Sequence, residues 1–314
     1  MKTIDAIVTT YYRNEYLKTA IESLLASKGV VVEVYVVDMS CERHAEEVVR
    51  EYDVNYVPIQ SYNTDHTLKQ IAKARDIGVA LSTEDFVFFL DDDDTVTPDG
   101  LSKLVNSLNG QCGVAFGMPD SLLSPEVIKP FYTNENPLNP ERLRSFMLGL
   151  LTTPLSTCAM VVERESIESI PPIASLPHDD IATVFELSTT TNIATIDEVI
   201  VHSQQKEPDA GLSKESLYGQ ANIFTEYQDY YDEIPTEFRL TDRQYEAAKS
   251  EYHRYKAMAA LSDRYWSSSA VYQYYNSAKT RPYGITYGYL RFLASLFGSL
   301  GLFLFAKIQG KKVA

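Results

Sequence analysis

Two periods of apolar residues alternate along the first hundred positions. Residues 4–10 form a short apolar run without helical spacing and predict a strand. Leu17, Ala20, Ile21, Leu24 and Leu25 then recur at steps of three and four, which predicts a helix closed by Gly29 near its C′ position. Residues 30–37 are a nearly unbroken β-branched run ending at Asp38, the pattern of a parallel strand covered on both faces. A short helix with Ala45, Val48, Val49 and Tyr52 leads to a third strand over residues 55–59. Thr64-Asp65 caps a helix expected to point Leu68, Ile71, Ala72 and Val79 inward. A fourth strand, Phe86-Val87-Phe88-Phe89-Leu90, runs into Asp91-Asp92-Asp93-Asp94, and Thr97-Pro98 then opens a helix with Leu101, Leu104, Val105 and Leu108. The order βαβαβαβα predicts an α/β fold with a doubly wound, mostly parallel sheet.

The second half is patterned less regularly. Strands are expected over residues 112–117, 156–162 and 194–201, and Asn139-Pro140 opens a helix with Leu143, Phe146, Met147 and Leu150. Residues 118–140, rich in Pro, Asn and Ser, read as a surface loop. Residues 212–280 read as helical, with Tyr245, Ala248, Tyr252, Tyr255 and Ala259 as a packing stripe. Residues 292–306 carry no charge, with Arg291 before them and Lys307, Lys311 and Lys312 after. As one helix they reach about 22 Å, short of a hydrocarbon core of roughly 30 Å. Such a helix lies in a membrane interface or spans with help from its flanks; a buried core helix is the alternative. The expected domains are therefore 1–210, in halves 1–110 and 111–210, then a helical extension over 211–280 and a membrane-associating helix over 281–314.

Net charge narrows the partners. The 314-residue chain carries −15, with a pI near 4.8, which excludes the basic face a nucleic acid would need. Three widely spaced cysteines, Cys41, Cys112 and Cys158, form neither a disulfide framework nor a zinc pattern and favour a reducing compartment. Met1-Lys2-Thr3 runs straight into a strand, so no signal peptide is expected.

The four adjacent aspartates are the strongest chemical signal. They stand at the carboxyl end of a strand, where open α/β sheets bind ligands. Like charges so close repel unless a cation sits among them, and Mg²⁺ is commonly held by one or two carboxylates together with substrate phosphates. A solvated acidic turn is the alternative. An EF-hand fails, because Val96 and Ser102 stand where Gly and Glu are required. Neither G-x-G-x-x-G nor a P-loop occurs, so a nucleotide would be held by side chains and a metal.

Four motifs in order carry a resemblance: Ile7-Val8-Thr9-Thr10-Tyr11-Tyr12-Arg13-Asn14-Glu15-Tyr16-Leu17, Val36-Val37-Asp38, Ala74-Arg75-Asp76, and Phe89-Leu90-Asp91-Asp92-Asp93-Asp94 with Pro98. Together, over about residues 4–205, the chain resembles the family 2 glycosyltransferases of the GT-A fold. The resemblance implies nucleotide contacts from Thr9, Tyr11, Arg13, Asp38 and Arg75, with Asp92 at the ribose. It implies Mg²⁺ or Mn²⁺ held by Asp91 and Asp93, with His202 reaching the metal or the diphosphate. Of the pair Asp179-Asp180, Asp180 matches the general base, a role that suits a carboxylate facing a weakly nucleophilic hydroxyl. Three positions depart from the family pattern: Met39 and Asp76 replace its usual Asp and Asn, and Asp179 its usual Glu.

The acidic composition and membrane-seeking tail resemble transferases of salt-loving archaea that build lipid-linked glycans for surface-layer glycoproteins. That likeness implies a UDP-sugar donor, an acceptor saccharide on polyprenyl (dolichol) phosphate, inversion at the anomeric carbon, and the cytoplasmic face of the membrane; a hexuronic acid is the sugar it suggests. Transfer to an exopolysaccharide or glycolipid, a nucleotidyltransferase, and an inactive membrane-docked scaffold are the alternatives.

Overall fold

The computed structural model describes residues 1–40, 42–59, 67–120, 128–133, 136–150, 152–176, 179–204, 241–261, 264–281 and 285–308. Thr64-Asp65, Cys41, Lys311, Lys312 and the stretch 205–240 lie outside these described residues. The chain divides into two units, one of Met1–Leu143 with Thr153–Pro208, the other of Arg144–Thr152 with Asp209–Ala314.

The first unit is built on an eight-stranded mixed sheet. Its parallel half is β1 (Lys2–Thr10), β2 (Val30–Asp38), β3 (Asn55–Pro58) and β4 (Phe86–Asp91), in the order β3-β2-β1-β4. Helices α1 (Asn14–Leu25), α2 (Glu46–Val49) and α3 (Thr67–Leu81) make the crossovers. Apolar residues of β1 and β4 are almost wholly buried, as are those of β2 from Val34 on, where two-sided cover begins; Val31 at the start of β2 is exposed. Register aligns the strand ends: Thr10 lies opposite Asp38, and Thr9 opposite Asp91. The polar residues that close these strands thus share one edge.

The sheet continues through β5 (Asp94–Val96), β6 (Val114–Pro119), β7 (Met160–Glu163) and β8 (Ile193–Ser203), in the order β4-β7-β6-β8-β5. Strand β7 runs antiparallel to both β4 and β6, which makes the sheet mixed. The helices that follow are α4 (Gly100–Leu108), α5 (Pro140–Leu150), which runs from the first unit into the second, α6 (Arg164–Glu168) and α7 (Asp179–Thr190).

Four local differences from the sequence expectation have physical causes. The acidic run does not lead straight to a helix, because Asp94–Val96 pairs with β8 first. Thr97 then gives its N–H to Ile200 O, so α4 begins at Gly100 with Asp99 as its cap residue. Gly29 lies beyond the end of α1 and uses its positive φ of 79° in the turn into β2. Finally, α3 buries Ala72, Ala74, Arg75 and Gly78, whereas Ile71 and Val79 are half-buried. A Cβ on Gly78 would stand 2.4 Å from Ile7, so this helix lies close against β1.

In the second unit, α8 (Asp242–Ala259) opens on a capping box between Thr241 and Gln244. It is followed by α9 (Ser268–Thr280), α10 (Ile285–Ser295) and α11 (Gly298–Ile308). Of the expected α8 stripe, Ala248, Tyr255 and Ala259 are buried, while Tyr245 and Tyr252 are half-buried. The expected apolar helix over 292–306 is two helices, broken at Gly298, whose φ is +64°.

Candidate active site

Asp91 closes β4, Asp92 and Asp93 lie in the turn beyond it, and Asp94 opens β5. Asp92 turns back into the protein, where its Oδ2 accepts from Thr10 Oγ1 at 2.8 Å and from the Tyr11 N–H at 3.3 Å. Arg13 Nη1 donates to Asp92 Oδ1 at 3.4 Å and to Asp93 Oδ2 at 2.9 Å. The exits of β1 and β4 are thereby tied together. Burial pushes the Asp92 carboxyl up to about 7, with Asp93 and Asp91 adding to it; Thr10 and Arg13 pull the other way. Burial and the charge of Asp91 likewise raise Asp93.

On the other side of β4, one guanidinium gathers three carboxylates. Arg75, from the inward face of α3, donates through Nη2 to Asp91 Oδ1 at 3.1 Å. Its Nη1 donates to Asp179 Oδ2 at 2.9 Å and to Asp180 Oδ1 at 3.0 Å. The Arg75 and Asp179 side chains are each 5 % exposed, against 39 % for Asp91 and 41 % for Asp180. Burial disfavours the Arg75 charge, but the three carboxylates outweigh it and raise its pKa above the usual arginine value. Thr157 Oγ1 also donates to Asp180 Oδ1. The two acidic clusters, 85 positions apart in the chain at their closest, therefore meet across a single side chain.

The position of α7, which carries Asp179 and Asp180, is supported from α3 as well. Asp76 accepts the N–H groups of Ile173 and Ala174 at 2.8 and 2.9 Å, fixing the turn Ile173–Ser175 ahead of α7. This position, where the family pattern has Asn, thus serves as an anchor.

Asp38 stands in a separate network. It is fully buried and accepts from Ser40 N at 2.8 Å, Ala45 N at 3.0 Å and Tyr56 Oη at 2.8 Å. It fastens the loop after β2. Burial and the Asp38 hydrogen bond together raise the Tyr56 hydroxyl. Thr9 is buried at the end of β1. Tyr11 is exposed, edge-on to Tyr12 with ring centroids 4.6 Å apart. Tyr12, at a φ of +55°, reaches the His44 ring at 5.1 Å.

His202 falls within β8, opposite Thr95 of β5, while Asp94 is opposite Ser203. Successive strand residues face opposite ways, so His202 is on the face away from Asp94. Its Nδ1 lies 2.8 Å from Asp120 Oδ2. The strand extends through His202, and Asp120 is its side-chain partner there.

Ligand atoms of Asp91, Asp94 and Cys158 lie within 4.8 Å of one another. Burial, with the charges of Asp91 and Asp93, pushes Asp94 up to about 8, a repulsion that a cation would relieve. Burial likewise holds the Cys158 thiol well above its usual value. Two hard carboxylate oxygens fit Mg²⁺ or Mn²⁺, with phosphate oxygens to complete the shell. Sequence reasoning missed Asp94 as a member of this group and missed Thr157 and Cys158 altogether. Both lie in a single 3₁₀ turn, Thr157–Ala159, inside a stretch whose apolar pattern reads as strand.

Residues 5–170 match the family model described as Glycosyl transferase family 2. Among solved structures, that of S. aureus TarS 1–349 is similar at a TM-score of 0.58 and 13 % identity, covering 100 % of this chain and 93 % of that one. The same TarS fragment in complex with UDP-GlcNAc gives a TM-score of 0.53 at the same identity and coverage. The mannosyltransferase PcManGT from Pyrobaculum calidifontis, in complex with GDP-Man and Mn²⁺, gives 0.55 at 13 % identity, covering 98 % of this chain and 79 % of that one. Glucosyl-3-phosphoglycerate synthase from Mycobacterium tuberculosis, with Mn²⁺, UDP-Glc and phosphoglyceric acid, gives 0.51 at 16 % identity, covering 74 % and 81 %. At these identities the likeness is one of fold. No curated protein matched the chain.

Proposed function

The chain belongs to glycosyl transferase family 2 and is a nucleotide-sugar glycosyltransferase of GT-A type, and from that premise we propose that it moves a sugar from a UDP-linked donor, with inversion, to a lipid-linked saccharide. One observation carries this reading: Arg75 holds Asp91 at one end and the Asp179-Asp180 pair at the other. A donor diphosphate beside the acidic run would therefore lie within a side chain's length of a carboxylate able to act as base.

Asp91, with Asp93 or Asp94, would hold Mg²⁺ or Mn²⁺. When bound, the cation neutralises charge on the departing diphosphate as a Lewis acid. Asp180, the more exposed of its pair, accepts the acceptor hydroxyl's proton as oxygen bonds to the anomeric carbon and the bond to phosphate breaks. UDP leaves, and attack from the opposite face inverts the centre. Buried Asp179 keeps Arg75 in place, and Arg75 with Thr157 orients Asp180. Arg13, holding Asp92 and Asp93, shapes the donor side, with Thr9 and exposed Tyr11 beside the nucleoside.

UDP as the nucleotide is supported by the UDP-sugars named for TarS and the mycobacterial synthase. The acceptor on polyprenyl (dolichol) phosphate, the surface-layer role, the hexuronic acid and the cytoplasmic face of the membrane rest on the resemblance of the sequence. The test is UDP release from UDP-sugars with Mn²⁺, with and without chelator, followed by NMR of the product's anomeric proton. Chelator-sensitive release and an inverted product support the proposal. Equal rates with chelator refute the metal, and a retained configuration refutes direct displacement.

A further inference from the structure

The second unit carries a surface whose partner can be read from its chemistry. Helices α10 and α11 each have 11 residues, about 16 Å of rise, and no helix among the described residues is long and apolar enough to cross a membrane. Their inner side is spoken for: Phe292 and Leu302 pack on the small core of Ala257, Ala270 and Tyr274. Their outer side is bare. Leu290 and Leu293 on α10, Phe297 at the corner and Leu300 and Leu304 on α11 are all exposed, so each helix, and the corner between them, presents apolar side chains to solvent.

That corner is built with care. A Cβ on Gly298 would stand 2.3 Å from Tyr265 O, so only glycine lets the chain turn there. Ser299 N–H donates to Tyr265 O at 2.8 Å, and Trp266 Nε1 donates to Leu296 O at 3.1 Å. The corner residue Phe297 is 71 % exposed, and Trp266 beside it 51 %. An indole and a phenol (Tyr265) flanking bare leucines is the residue set found at membrane–water interfaces. Charge selects the same partner. From Arg264 to the last residue the sequence has seven Lys or Arg and no Asp or Glu, in a chain whose net charge is −15.

We propose that the α10–α11 hairpin lies in the plane of an anionic lipid bilayer, its exposed apolar side chains from Leu290 to Leu304 among the acyl chains and its basic residues at the headgroups. This deepens the reading above, since a lipid-linked acceptor would be met at that surface. Binding itself requires no sugar transfer.

Trp266 is the chain's one tryptophan and reports the contact directly. The full chain is mixed with vesicles of phosphatidylcholine alone or with added phosphatidylglycerol, then sedimented, and emission is recorded with and without brominated lipid. Anionic vesicles should pellet the protein, shift its emission to the blue and allow bromine quenching; neutral vesicles should do so weakly. The double variant Leu293→Glu/Phe297→Glu, changed only at exposed positions, should lose about a hundredfold or more in partitioning with an unchanged circular dichroism spectrum. Wild type that stays in the supernatant, pelleting unaffected by the double variant, or a Trp266 spectrum that never moves overturns the proposal. A self-association that the double variant abolishes, without lipid binding, identifies a second copy of the chain as the occupant and also overturns it. Release of UDP from soluble donor should be the same in wild type and double variant, so a failure here is separate from a failure of the transferase reading.

Discussion

Replacing Arg75 with methionine keeps the stem of the side chain and removes the charge that three carboxylates share. The partners contribute unequally. Asp91 and Asp180 are about two-fifths exposed, so water screens them and each pair contributes roughly 1 kcal/mol or less. Asp179 is as buried as Arg75, and removing one partner of such a pair leaves an uncompensated charge at a cost of about 3–5 kcal/mol. The sum is about 3–7 kcal/mol, or a fall of roughly 6–28 °C in Tm at 2–4 °C per kcal/mol for a unit of this size. The double variant Arg75→Met/Asp179→Asn removes the stranded charge and should recover much of the loss. Thermal and urea unfolding followed by circular dichroism measure all three changes for the cycle. If Arg75→Met melts within about 2 °C of wild type, or the second substitution adds its full cost to the first, Arg75 is not the strut between the two clusters.

Other positions give independent checks. Asp76→Ala frees the N–H groups of Ile173 and Ala174 and should cost about 1–3 kcal/mol in urea unfolding, while lowering kcat more than donor KM; an unchanged urea midpoint would count against the anchor. Gly78→Ala forces a Cβ to 2.4 Å from Ile7 and should cost about 1–3 kcal/mol by pushing α3 off β1; a Tm equal to wild type would mean the helix has room to move. Asp38→Asn should destabilise by about 1.5–3 kcal/mol, and Tyr56→Phe by about 1 kcal/mol, because Asp38 fastens its loop; a loss of UDP affinity with stability intact would instead make it a nucleotide contact.

Half of the sheet was legible because its strands are covered on both faces. Such strands read as unbroken apolar runs, and β1, β2 and β4 appear where those runs fall. The stripe of α4 stands as expected, with Leu101, Leu104, Val105 and Leu108 all buried; in α1 Leu17, Ala20, Ile21 and Leu24 are buried, but Leu25, also expected inward, is exposed at the helix end. Helix α3 was misread for an instructive reason. Its buried face presents Ala74, Gly78 and charged Arg75, and an apolar pattern counts a charge as outward. Arg75, which bridges the carboxylates, thus could not be placed by the apolar pattern of its helix. Strand β5 is three residues long and begins with an aspartate, too short and too polar to register. That short strand also places His202 on the far face of its ladder. Gly298 was a single letter inside an uncharged run, yet its left-handed backbone turns one expected helix into two. The acidic motifs at 91–94 and 179–180 were legible as chemistry; that Arg75 brings them together depends on the packing of α3 and α7, which no local spacing encodes.

The central claim is that the donor's diphosphate and the base Asp180 share one crevice but do different work. Calorimetric titration of Asp180→Asn with UDP and Mn²⁺, paired with its rate of sugar transfer, tests this most directly. The expected result is a UDP affinity within about twofold of wild type and transfer slowed by about 10²–10⁴-fold, the range that general base catalysis supplies. Transfer at the wild-type rate, or UDP binding lost together with transfer, would contradict it.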